Sequence, residues 1–130
     1  VKALSRQNIR RIIGLSMAGL SGEFPKALEK WTFDNLPIRY VQGERQARNV
    51  LRESNLNYTI LRLPWLYNNM ENTNYELIAE GAPFNDAQVT REAVVKAVYD
   101  ILHVEDETPF SRASIGVGEP GTHYDKPSFL

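Results

Sequence analysis

The chain has 130 residues, a formal net charge of -1, no cysteine and two histidines. That length suits one domain with a sizeable core and is short for a complete doubly wound dinucleotide domain. The balanced charge excludes a global attraction to nucleic acid or to an anionic membrane surface. The absence of thiols excludes a disulfide frame and a thiolate metal site, and no metal is expected from two histidines far apart in sequence.

No stretch is long and apolar enough to span a bilayer, and the N-terminus lacks the basic-then-apolar pattern of a signal peptide. The expectation is a soluble, cytoplasmic protein with no membrane partner. The chain opens at Val1 in helical pattern, which predicts a single domain over residues 1–130 that is N-terminally truncated.

In chain order, Val1 to Gln7 fits the last turns of a helix, with Asn8 suited to a left-handed helix end. Ile9 to Leu15 reads as a strand entering an apolar core, and Ser16-Met17-Ala18-Gly19 as the small, polar loop at its end. Leu20 to Pro37 holds Gly22, Pro25 and Pro37 among aromatics. It predicts a long irregular segment with one short helix over Lys26–Lys30, and long loops in compact domains are usually functional or disordered.

From Ile38 to Ser54 the apolar residues Tyr40, Ala47, Val50 and Leu51 fall at helical spacing, with Gly43 costing about 1 kcal/mol relative to alanine. Asn55-Leu56-Asn57 turns the chain into Tyr58–Leu63, a run of β-branched, aromatic and aliphatic residues that fits a buried strand. Pro64 ends it, having no N–H for a ladder. In a parallel α/β sheet, ligands collect at the carboxyl ends of strands, so the loop Trp65–Asn69 is placed at the functional edge.

Tyr75–Ala79 and Ala87–Val89 read as short strands. Thr90 is suited to cap a helix whose apolar residues Val94, Val98, Ile101 and Leu102 recur at i, i+4, i+7 and i+8. Ser111–Val117 reads as the last strand. Residues 118–130 form an irregular tail rich in Gly and Pro that needs a neighbour to be ordered. Strands alternating with helices predict an α/β domain with a mostly parallel sheet.

Three groups of residues carry a resemblance: Arg11-Ile12-Ile13-Gly14-Leu15-Ser16 with Gly19, then Tyr40, then Ser54-Asn55-Leu56-Asn57-Tyr58-Thr59-Ile60-Leu61-Arg62 with Pro64 and Trp65. From Val1 to about Val117 the chain resembles the C-terminal portion of an atypical short-chain dehydrogenase of the NmrA-like NAD(P)-binding group. The resemblance implies a Rossmann-like, doubly wound sheet, NADP or NAD as cofactor, and a small carbonyl or alcohol as substrate. No G-x-G-x-x-G turn of the kind that cradles a pyrophosphate occurs in these residues.

By the same resemblance Ser16 orients the substrate and Tyr40 moves the proton, so these two are the candidate catalytic residues. The implied cofactor contacts are Leu15, Ser16, Tyr40, Glu44, Pro64, Trp65 and Leu66. Glu44 departs from the pattern, because the family places there a lysine that lowers the tyrosine pKa. A carboxylate one helical turn from a phenol raises it instead. The alternative for Glu44 is a surface pair with Arg48.

Two functions stand beside each other: an oxidoreductase, or an NAD(P)-sensing regulatory protein of NmrA-like type that binds without turnover. An inactive fragment of either is the third reading. A homo-oligomer or a protein partner is compatible with a free sheet edge. Arg45, Arg48 and Arg52 read as a solvated helix face and Arg62 as a structural residue with a partner in the core. His103 reads as a cap on helix-end carbonyls, while His123 near Asp125 makes no triad. Trp31, Trp65 and Tyr67 are either pocket walls or ordinary core aromatics.

Overall fold

The computed structural model describes residues 1–130, the side chain of Ser5 excepted. The elements are α1 (Lys2–Arg6), β1 (Arg11–Met17), α2 (Lys26–Asp34), α3 (Ile38–Arg52), β2 (Asn57–Leu63), β3 (Trp65–Tyr67), β4 (Glu76–Ala79), β5 (Gln88–Thr90), α4 (Arg91–Leu102) and β6 (Ala113–Gly118). The main sheet runs β1-β2-β6-β4, and β3 pairs with β5 in a small second sheet. β1, β2 and β6 are parallel, and β4 joins β6 antiparallel. This is the α/β, mostly parallel arrangement that the alternation of elements predicts.

Several boundaries move for local reasons. The first strand begins at Arg11 rather than Ile9, because Asn8 is left-handed at φ 59° and the Ile9 N–H returns to Leu4 O at 3.0 Å. It then runs through Ser16 and Met17, two residues expected in the loop, since their partners Arg62 and Leu63 are still in the ladder. The helix expected to end at Lys30 continues to Asp34, with Leu28 and Thr32 buried on one face. The helix expected to reach Ser54 stops at Arg52, where the Glu53 N–H bonds Asn49 O at 2.9 Å. The short strands are placed at Glu76–Ala79 and Gln88–Thr90, each starting one residue later than expected, and the last at Ala113–Gly118, after Arg112 turns through a left-handed φ of 50°.

The loop expected over Trp65–Asn69 is a strand for its first three residues. Pro64 breaks the ladder as its chemistry requires, yet the Trp65 N–H immediately finds Ala87 O at 3.2 Å, and β3 continues alongside β5. Proline thus moves the chain from one sheet to the other rather than ending its pairing.

Helices lie on both faces. α4 presents Ala93, Val94, Ala97 and Ile101 to Leu61, Leu63 and Val117, and this buried cluster is the main core. Each such aliphatic side chain contributes about 1.5–3 kcal/mol when fully buried. Thr90 caps α4 through Ala93 N at 2.9 Å, as its residue type predicts. On the other face α3 lies over β1, where Gly14 leaves room for Leu51. A second cluster of Ala18, Phe24, Leu28, Phe84 and Ala87 consolidates the loops at the carboxyl end of β1. There Gly19, at φ 97°, passes close to the Phe24 ring.

The tail finds its neighbours within the chain. Thr122 O accepts from Ala87 N at 2.8 Å, Glu119 N donates to Gln88 O at 3.0 Å, and Ser128 N donates to Gln88 Oε1 at 2.8 Å. These bonds lay it over β5 and bring its last residues back to β3. No helix of the described residues is long and apolar enough to cross a membrane.

Candidate functional site

The carboxyl ends of β1 and β2 open into a cleft of about 500 Å³. Leu15, Ser16, Tyr40, Glu44, Pro64, Trp65 and Leu66 all line it, so the candidate catalytic and cofactor residues face one space. β1 and β2 set the geometry, since Ser16 stands opposite Arg62 and Met17 opposite Leu63 across the parallel pair. α3 brings Tyr40 and Glu44 to the rim, one helical turn apart.

Ser16 Oγ is buried and has no hydrogen-bond partner among the described residues. A hydroxyl in that state costs about 1–3 kcal/mol unless a ligand or water completes it. Tyr40 is half exposed. Burial and the Glu44 carboxylate beside it push its phenol above the usual tyrosine range, the direction expected from a carboxylate in that position. The alternative pair of Glu44 with Arg48 does not form among the described residues; the Arg48 guanidinium reaches Ser21 Oγ at 3.3 Å instead.

Trp65 is held rather than free. Its indole N–H donates to Thr32 Oγ1 at 3.0 Å, and its ring meets Trp31 edge to face at 5.0 Å. Trp31 therefore supports the wall without lining the cleft. Tyr67 lies behind the same wall, its hydroxyl donating to Glu119 at 2.5 Å and its ring stacked on Phe129 at 5.1 Å. Burial and the Glu119 carboxylate hold the Tyr67 phenol high as well.

Arg91, Phe129 and Leu130 are among the cleft residues that escaped the sequence reading. Phe129 and Leu130 reach it because the tail folds back, and two large apolar residues after a Gly- and Pro-rich stretch were the only signal for that. Arg91 lies one residue after the Thr90 cap, at the start of α4, and bonds Asn68 Oδ1 at 2.9 Å. A helix N-terminus next to a strand end was the signal there.

Other expectations resolve away from the cleft. His103 Nδ1 lies 2.7 Å from Tyr99 O at the end of α4, the helix-end role expected of it. His123 approaches Asp86 at 3.4 Å rather than Asp125. The arginines of α3 are not simply solvated: Arg45 donates to Leu20 O at 2.5 Å and Arg52 pairs with Glu80. Arg62 has the core partners expected of it, Glu23 at 2.9 Å and Ile78 O at 2.9 Å.

The comparisons with known proteins agree with the fold. Residues 1–105 match the family model described as NAD(P)H-binding. A short-chain dehydrogenases/reductase from Veillonella parvula DSM 2008, solved in ethylated form, is 84% identical with a TM-score of 0.98, over 99% of this chain and 59% of that one. A crystal structure described as its wide type, in complex with NADP, is 85% identical with a TM-score of 0.97, over 98% and 59%. A Rossmann-fold NAD(P)-binding family protein from Shigella flexneri is 26% identical with a TM-score of 0.70, over 99% and 55%. No curated protein matches. The chain thus spans about three-fifths of the length of the Veillonella proteins that it resembles. On the family match and the parallel sheet with its carboxyl-end cleft, the chain belongs to the NAD(P)H-binding family, and its fold is Rossmann-like.

Proposed function

We propose that the cleft is the nicotinamide and substrate side of an NAD(P)-dependent oxidoreductase site acting on a small carbonyl or alcohol. The observation that carries this reading is the unpartnered Ser16 Oγ, buried at a strand end among Tyr40, Pro64, Trp65 and Leu66. The residues present fit the cofactor that the family binds: an apolar wall for a flat ring, a free hydroxyl beside it and a phenol at the rim. A nicotinamide bound there supplies a hydride to the substrate carbon, or takes one from it.

The chain's own groups have separable tasks. Ser16 Oγ donates to the substrate oxygen and fixes its position. The Tyr40 phenol, protonated at neutral pH as tyrosines ordinarily are, passes its proton to that oxygen as negative charge develops. Leu66 and Phe129 exclude water from the reacting atoms.

Glu44 favours a second reading. By opposing ionisation of Tyr40 it works against repeated proton transfer, which suits a dinucleotide-sensing protein of the NmrA-like type. Titration of the full chain with NADPH and NADH, followed by nicotinamide fluorescence and quenching of Trp31 and Trp65, tests the binding that both readings share. Saturation that weakens in Ser16→Ala supports it, and saturation that is the same in folded Ser16→Ala overturns it. Tyr40→Phe then separates the two: lost turnover with retained binding marks the enzyme, and binding without turnover in either form marks the sensor.

A further inference from the structure

A second cavity, of about 430 Å³, lies beside the cleft and shares Met17 with it. Arg48 and Arg52 from α3 and Arg62 from β2 line it together with Glu23 and Glu80. Both carboxylates are already engaged, Glu23 by Arg62 at 2.9 Å and Glu80 by Arg52. Arg48 is left in surplus. The charges that face it are Arg45 and Arg52 on one side and Glu23 and Glu80 on the other, and its one hydrogen bond among the described residues is the long one to Ser21 Oγ.

Just behind the cavity's surface, on residues that line it, are polar atoms with nothing to bond. Arg48 Nε, Arg62 Nε and Ser114 Oγ are buried without a hydrogen-bond partner among the described residues, and Arg62 and Ser114 are only 7% and 2% exposed. All three can donate, and a buried donor left unpaired is costly. Two guanidinium N–H groups and a hydroxyl buried at the wall of a cavity with excess positive charge suit an oxyanion that draws them round, since the guanidinium fork matches its geometry. Met17, Leu20 and Pro83 supply an apolar wall.

We infer that this cavity is a second ligand site, which takes a small organic anion with its carboxylate or phosphate group on Arg48 and its carbon body against Met17, Leu20 and Pro83. The inference does not rest on nicotinamide binding, and its test uses no dinucleotide. The full chain, labelled with ¹⁵N, is titrated with succinate and separately with inorganic phosphate, with chloride at matched ionic strength as control, and the arginine Nε–H resonances are followed.

The expected result is saturable movement of the Arg48 and Arg62 signals with one or both oxyanions and not with chloride. Affinity should fall about tenfold in Arg48→Gln and about threefold in Ser114→Ala, as losing a charged and a neutral hydrogen bond implies. Ser114→Ala leaves both ion pairs in place and carries the test if Arg48→Gln does not fold. A response to chloride equal to that of the oxyanions overturns the proposal. So does an affinity unchanged in the folded variants, which would put the anion elsewhere.

Discussion

Asp86 occupies the space that a side chain on Gly118 would need: a Cβ there would lie 2.6 Å from Asp86 Cβ and closer still to its carboxylate. β6 ends in glycine because the segment leading into β5 crosses directly over it. Asp86 is 1% exposed, and neither carboxylate oxygen has a hydrogen-bond partner among the described residues.

Gly118→Ala should therefore destabilise the fold by about 1–3 kcal/mol, the usual cost of forcing a methyl group into filled space. Urea denaturation measures this. An unchanged midpoint would mean that Asp86 moves aside without cost.

Asp86 also gives the protein a pH dependence. Burial, then the carboxylates of Glu76 and Glu119, push its pKa from 3.8 to about 7, while His123 faces it from the tail at 3.4 Å. Because the folded value lies above the ordinary one, the stability tied to this group is fully present below about pH 4 and is lost as pH rises to about 7. Asp86→Asn should remove that loss, making the variant the more stable form at pH 8 relative to its standing at pH 4. Parallel stability curves for the two proteins across that range would refute the assignment.

The Arg62–Glu23 pair is the buried ion pair of the core, with both side chains under one-tenth exposed. Burial alone would raise the Glu23 pKa, but hydrogen bonds from backbone N–H groups and from Arg62 outweigh it and hold the carboxyl below 4.5. Removing one partner strands the other, at a cost of about 3–5 kcal/mol. Glu23→Gln and Arg62→Met should each show a loss of that order at neutral pH. The gap between wild type and Glu23→Gln should narrow in acid, as Glu23 takes up its proton. Calorimetry at two pH values checks both statements.

Glu44→Lys should lower the pH at which Tyr40 ionises, since it replaces a carboxylate that opposes the phenolate with a cation that favours it. The measurement is ultraviolet titration of each form against its own Tyr40→Phe counterpart. If Tyr40 ionises at the same pH in both, burial alone raises the phenol's pKa and Glu44 adds nothing.

Much of this architecture is local in origin. The helix periodicity of α3 and α4, the Thr90 cap, the β-branched run of β2 and the break at Pro64 each depend on residues within a few positions of one another, and all are present where the residue types place them. The gathering of Ser16, Tyr40, Pro64, Trp65 and Leu66 was accessible through the family resemblance. No spacing rule links residues on β1, α3 and β3.

What composition and short-range pattern determined by themselves was an α/β chain, the identity of its main elements and the end of the sheet at which a ligand would sit. Tertiary structure alone decided that Pro64 redirects the chain into a second sheet, that the tail seals against Gln88 and closes one side of the cleft, and that the arginines of α3 meet Arg62 around a cavity. Each of these depends on groups tens of residues apart, such as Ala87 with Thr122 or Arg62 with Glu23. Pairings at that range are selected by the packing of the whole core, and a side chain carries no mark in its neighbours of which distant backbone it will meet.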